Sequence, residues 1–155
     1  MEPRAATPGK RLEALKQLNE AGIPVSVMMA PVIPGLNDHE IERVLDAARG
    51  QGALEAGYVL LRMPLEVAPL FKDWLLRNYP DKYRHVLSLI RSMRDGKDHD
   101  AEWGKRMRGT GPYAWTIGRR FEIAAKRLGM NLEKRGLRTD LFRSPAKGGT
   151  QLALF

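Results

Sequence analysis

Two short apolar runs, PVSVMMA at residues 24–30 and AGYVLLR at residues 56–62, flank a stretch with the period of an amphipathic helix. No other feature limits the fold as tightly. Each run has strand length, and Pro64 closes the second. Between them Ile41, Val44, Leu45 and Ala48 recur on one helical face, and Gly50 and Gly52 end it. Strand, helix and strand in that order make a βαβ unit, and a crossover of this kind joins parallel strands. The near-continuous apolar character of the first run predicts a strand covered on both faces. A parallel pair cannot stand alone, because its edges and a face need covering. The missing strands are expected from partner chains or from a segment preceding Met1, so the chain reads as the tail of a larger parallel α/β domain.

Outside this unit the pattern is helical. Thr7 followed by Pro8 is a helix start, with Leu12, Leu15, Leu18 and Ala21 at helical spacing and Gly22 as a stop. After Pro64, Val67, Leu70, Phe71, Trp74 and Leu75 form one face. Pro80 separates them from a helix with Val86, Leu89, Ile90 and Met93. Residues 95–111 are a polar, glycine-punctuated connection, and Pro112 opens a helix through Trp115, Ile117, Phe121, Ala124 and Leu128. The expected organisation is therefore residues 1–64 as an α/β portion, 65–130 as a basic helical extension, and 131–155 as an irregular tail ending in QLALF.

The chain has no cysteine, so it can supply no disulfide and no thiolate for iron or zinc. Residues 1–62 hold 7 Lys/Arg and 8 Asp/Glu, while residues 63–155 hold 19 and 10, so the second part carries the whole excess of +8. One-ended basicity fits a polyanion-facing surface, and it fits solvated helix faces equally well. MEPRAATPGKR has no apolar signal core, and the apolar stretch from Ile23 to Leu36 is broken by three prolines. The expected location is cytoplasmic, with no membrane contact.

In parallel sheets ligands bind beyond the carboxyl ends of the strands. PVIPGLND, residues 31–38, lies at such an end. Gly35 permits close backbone approach, and Asn37 with Glu40 has capping-box spacing for the next helix. The same features also suit a plain βα turn.

VSVMMAPVIPGLNDHEI, followed by AGYVLLRMPLEVAPLFKDWL, resembles the C-terminal half of a radical S-adenosylmethionine (SAM) enzyme. The likeness is nearest to the DNA repair photolyase-like group related to spore photoproduct lyase. RMRGTGPYA, LRTDLF and the terminal QLALF resemble that group's C-terminal region, so the resemblance covers nearly the whole chain. It implies the C-terminal portion of a partial (β/α)6 barrel, two parallel strands with flanking helices, followed by a helical extension. It also implies SAM and a [4Fe–4S] cluster in the full-length family, with a deoxyadenosyl radical abstracting hydrogen from substrate. The family's fifth strand ends in G-x-I-x-G-x-x-E, and Pro31, Ile33, Gly35 and Asp38 stand at those four positions. Ile33 and Gly35 carry over as adenine contacts, and Leu60 or Leu61 stands where the sixth strand adds an apolar one. Pro31 and Asp38 depart from the pattern. The family's C-x-x-x-C-x-x-C motif has no counterpart here, so this chain alone is expected to bind neither cofactor and to lack catalysis without the N-terminal half of the barrel. The other reading is a non-catalytic basic module that binds nucleic acid or a replication partner.

Further residues carry possible chemistry. Gly109-Thr110-Gly111 before Pro112 resembles half a phosphate loop, and with Lys105, Arg106 and Arg108 it either holds a phosphate at a helix N-terminus or is an ordinary charged loop. Asp98, His99 and Asp100 are adjacent, a poor arrangement for one metal ion. Trp103 lies in the polar connection, where a base could stack on it. Gln151-Leu152-Ala153-Leu154-Phe155 resembles the QL(S/D)LF peptide that docks bacterial repair proteins on the sliding clamp, with Ala153 at the variable position.

Overall fold

The computed structural model describes residues 4–133, 136, 139–140 and 142–143. Among these the order is α1 (Pro8–Glu20), β1 (Ser26–Val32), α2 (Ile41–Gly50), β2 (Glu55–Leu60), α3 (Val67–Asn78), α4 (Tyr83–Ser92) and α5 (Gly111–Arg127). The protein is mixed α/β. Thr7 caps α1 as its sequence requires, its hydroxyl accepting from Lys10 N–H.

The strands are parallel, with Ser26 opposite Glu55, Met29 opposite Tyr58 and Val32 opposite Leu60, and the register slips between Met29 and Val32. One face of this sheet is packed. Val25, just before β1, and Met29 and Val32 within it meet Tyr58 and Leu60 of β2 beneath Ile41, Leu45 and Ala48 of α2 and Ile117, Phe121 and Ala124 of α5. Burying such side chains contributes roughly 1.5–3 kcal/mol each before entropy is counted.

The opposite face is open, contrary to the two-sided burial expected for β1. Ser26, Met28 and Ala30 are exposed, Met28 at 62%. Met28 lies across Gly57, where a Cβ would stand 2.8 Å from its Cε. The physical reason is supply: α2 and α5 cover one side only, and the described chain brings no second layer. A further apolar cluster sits past the strand ends, where Ile33, Leu61 and Met63 pack against Phe71 and Leu75 of α3 and Val86, Leu87 and Ile90 of α4.

The two sheet edges differ. Along β2 the Asn131 amide accepts from Ala56 N–H (2.8 Å) and donates to Ala56 C=O (3.0 Å), and Leu60 N–H donates to Met107 C=O at 2.9 Å. β1 has β2 as its sole strand neighbour among the described residues. Some apolar positions face outward where the spacing placed them inward. Trp115 is 68% exposed and Leu70 66%, because the buried stripes run instead through Ala114, Ile117 and Phe121 and through Phe71 and Leu75.

Candidate nucleic-acid interface

The turn at the end of β1 is built from its own polar side chains. Asn37 Oδ1 accepts from Ile33 N–H at 2.7 Å, and its Nδ2 donates to Pro31 C=O at 3.1 Å. The capping box is therefore not formed. Asn37 closes the turn, a single 3-10 turn (Asp38–Glu40) intervenes before α2, and Glu40 pairs with Arg43. Asp38, 6% exposed, accepts from Gly35 N–H at 3.0 Å and from the Tyr113 hydroxyl at 2.6 Å, which ties the turn to α5.

Burial first, and then this bond to Asp38, push the Tyr113 phenol up to about 12. The folded state therefore holds the phenolic proton longer than the unfolded chain, whose tyrosine titrates near pH 10. Stability from this group is intact below about pH 10 and is lost as pH rises toward 12. Tyr113→Phe is expected to lower stability at pH 8 by about 1 kcal/mol, and to flatten the alkaline decline relative to the parent. Urea unfolding at pH 8, 10 and 11 measures both; parallel declines would refute the coupling.

The residues matched to adenine binding are occupied within the chain. Ile33 (2% exposed) and Leu61 (8%) meet in the apolar cluster under α3 and α4, while Leu60 (1%) packs with the α5 core. Gly35 has φ +72°, and its close approach is to α4: a Cβ there would lie 3.1 Å from Leu89 Cδ1 and 3.2 Å from His85 Cδ2. These three apolar side chains leave almost no free surface for an adenine ring. With no cysteine in the sequence, the chain has no thiolate for an iron–sulfur cluster. Among the described residues, no group of three or more His, Cys, Asp and Glu converges to hold a metal. Asp98 is engaged by Arg91 and Lys72, which hold its carboxyl below the usual range.

The basic loop comes to lie beside a groove. Thr110 N–H donates to Met93 C=O at 3.0 Å, anchoring the loop on the end of α4. Gly109 and Gly111 have positive φ, and a Cβ on either would crowd the Met93 or Ser92 carbonyl at 3.1 and 3.2 Å. From this anchor α5 starts, with Pro112 in its first turn. Beside it opens a cleft of about 510 Å³ lined by Tyr58, Arg108, Thr110, Trp115, Arg119 and Glu122. A second hollow of about 480 Å³ shares Arg108 and Glu122 and continues to Lys126, Asn131 and Leu132. The two hollows adjoin at Arg108 and Glu122 and follow α5 beside the outer edge of β2, and the pair is called the α5 groove.

Its lining is aromatic and mostly cationic, with Glu122 as the one carboxylate among the lining residues of both hollows. Arg108 lies 4.3 Å from the Tyr58 ring centroid, and Arg119 is held 3.0 Å from Glu122. Gly118 leaves room for the Tyr58 hydroxyl, which a Cβ there would approach to 3.1 Å. Of the three loop cations singled out in the sequence, Arg108 enters this groove. Lys105 pairs with Glu102 at 2.8 Å, and Arg106 stacks 4.1 Å from the ring centroid of Trp103, itself 81% exposed. Arg119 was not among the sequence candidates, and Trp115, read from the sequence as a core position of the last helix, stands 68% exposed, out of phase with the 114/117/121 stripe. Gln151, Leu152, Leu154 and Phe155 lie outside the described residues.

Comparison with protein-family models, curated proteins and solved structures returned no match for this chain. Fold and site define a mixed α/β chain with a parallel βαβ unit, one open sheet face, and a basic groove along its last helix. No helix among the described residues is long and apolar enough to cross a membrane.

Proposed function

We propose that this chain is the carboxyl-side part of a DNA-acting protein of the radical SAM type, and that its own contribution is to hold a nucleic-acid strand in the α5 groove. The observation that carries the binding role is the grouping of Arg108, Arg119 and Lys126 with exposed Trp115 along two adjoining hollows. Guanidinium and ammonium groups attract phosphates, while an exposed indole offers a base a stacking surface. Anisotropy of a labelled single-stranded oligonucleotide, titrated at several salt concentrations, tests this. Micromolar-range binding that falls steeply with salt supports it; no binding at low salt removes it.

The barrel part of the proposal is favoured by the unequal sheet edges. Loop groups occupy the outer edge of β2, as suits a last strand, and β1 offers its edge to a strand before it. By strand alternation the amides of Ser26, Met28 and Ala30 point to that edge, whereas Val27 and Met29 face β2. In the isolated chain the first three are expected to exchange hydrogen at least tenfold faster than the other two. Equal protection of both sets would mean that β1 is already paired. Since the cluster and SAM do not fit the residues of this chain, catalysis is assigned to no group in it. The cysteine-bearing half would have to supply it, and without that half the chain is a nucleic-acid-binding module.

The terminal QLALF is proposed as a sliding-clamp ligand. A labelled peptide of residues 148–155 is expected to bind a bacterial clamp with roughly micromolar affinity, about −8 kcal/mol. Gln151→Ala is expected to weaken it severely. Equal binding by both peptides, or none by the parent, would discard this role.

A further inference from the structure

Trp115, Arg119, Glu122 and Lys126 follow one another on α5 at spacings of four, three and four, so they share one face of the helix. That face is a wall of the α5 groove. The first three line the cleft of about 510 Å³, and Glu122 and Lys126 line the hollow of about 480 Å³ beside it. All four residues are exposed. Along the helix the order is indole, guanidinium, carboxylate, ammonium. Arg119 and Lys126 stand about 10 Å apart by helix rise, and Glu122 lies between them.

A groove built only to attract phosphate gains nothing from a carboxylate between two of its cations, because like charges repel there. Arg119 Nη1 donates to Glu122 Oε2 at 3.0 Å, with the two side chains 53% and 59% exposed. An ion pair so open to water is a weak fastening, and a ligand can reach it. The bond also fills one of the roughly four acceptor positions of a carboxylate, so both oxygens remain able to accept. A ligand seated against Glu122 must therefore bring hydrogen-bond donors. Among the bases of a single strand, guanine presents two adjacent donors, N1–H and N2–H, which match the two oxygens of a carboxylate. Adenine and cytosine set one amino donor beside an acceptor nitrogen, and thymine sets one imino donor between two carbonyls. Each of those three turns an acceptor toward the carboxylate. A strand also satisfies the flanking cations, since phosphates lie on both sides of the base, and a neighbouring base can stack on Trp115. A mononucleotide leaves one cation unused.

We propose that Glu122 makes the α5 groove selective for guanine within a single strand. Its carboxylate accepts from guanine N1–H and N2–H while Arg119 and Lys126 hold the phosphates on either side. This role rests on the reading of the groove as a nucleic-acid site and names the base that the site selects.

The test uses the full chain and labelled thymine oligonucleotides that carry one central guanine, hypoxanthine, adenine or no substitution, compared by anisotropy. The guanine strand is expected to bind about fivefold tighter than the all-thymine strand, or more. Hypoxanthine, which lacks the N2 amino group, is expected to fall between them, and adenine to do no better than thymine. Glu122→Gln keeps the size of the side chain and exchanges one acceptor oxygen for an amide donor. It is expected to weaken binding of the guanine strand while the all-thymine strand binds as tightly or more tightly, since a negative charge has left the groove. A purely structural role for the Arg119–Glu122 pair would move both affinities in the same direction. Equal affinity for the guanine and thymine strands in the unaltered chain overturns the proposal, and so does a guanine preference that persists in Glu122→Gln. Displacement of the guanine strand by guanosine monophosphate as readily as by unlabelled strand overturns recognition within a strand. Binding without base preference removes the role of Glu122 and leaves the groove as a nucleic-acid site, whereas no binding of any strand at low salt removes both.

Discussion

Arg94→Ala is expected to lower the unfolding free energy by about 3–5 kcal/mol, among the largest effects of any single polar substitution in this chain. Arg94 fastens the end of β2 to the loop before α5. Its guanidinium holds the Leu61 carbonyl at 2.7 Å and reaches the Arg106 carbonyl, with 2% of the residue exposed. Truncation leaves the Leu61 carbonyl without its donor and opens a space the size of a long side chain. An opposing effect has to be weighed, because burial lowers the pKa of Arg94, so its charge is held at a cost. Arg94→Met fills most of the volume without that charge, and is expected to cost less, about 1–2 kcal/mol. Urea denaturation of the three proteins measures the ordering. An Arg94→Ala chain within about 1 kcal/mol of the parent would show that Arg94 is not the fastening.

The second large effect concerns the groove. Replacing Arg108 and Arg119 together by Ala is expected to weaken single-stranded DNA binding at least tenfold at low salt. It is also expected to reduce the slope of log affinity against log salt by about 1.4, close to 0.7 per lost phosphate contact. Lys105→Ala is expected to do less, because Lys105 lines neither hollow of the groove and pairs with Glu102 outside it at 2.8 Å. Trp115→Ala should weaken binding without changing the salt slope, by about 1–3 kcal/mol for one stacked base. Anisotropy titrations in parallel separate these contributions. An unchanged slope in the double variant would place the phosphates elsewhere.

How far the fold could be read in advance follows from which residues carry local signals. The βαβ order was legible because apolar periodicity changes from strand to helix and back, and the first helix announced itself through Thr7 and Pro8. Strand bounds shifted by one or two residues, to Ser26–Val32 and Glu55–Leu60, since apolar runs do not mark where pairing stops. The spacing of Asn37 to Glu40 fits a cap, but the side chain accepts instead from Ile33 N–H within the tight turn, a partner the spacing does not reveal. Long-range partners carried no local sign at all. Asp38 meets Tyr113 across 75 positions, Asn131 clamps Ala56 across 75, and Arg94 holds Leu61 across 33. The groove was legible in part. Arg108 stood out in its basic loop, but Trp115 and Arg119 became groove residues only when α5 turned Ala114, Ile117 and Phe121 inward.

The central claim is that this chain holds a nucleic-acid strand along α5, and amide shift mapping with a short single-stranded oligonucleotide tests it most directly. The expected footprint runs through Arg108–Thr110, Trp115, Arg119, Lys126 and Asn131, with little change in α1 or α2. Shifts confined to other surfaces, or none at a concentration that saturates the anisotropy signal, would contradict it.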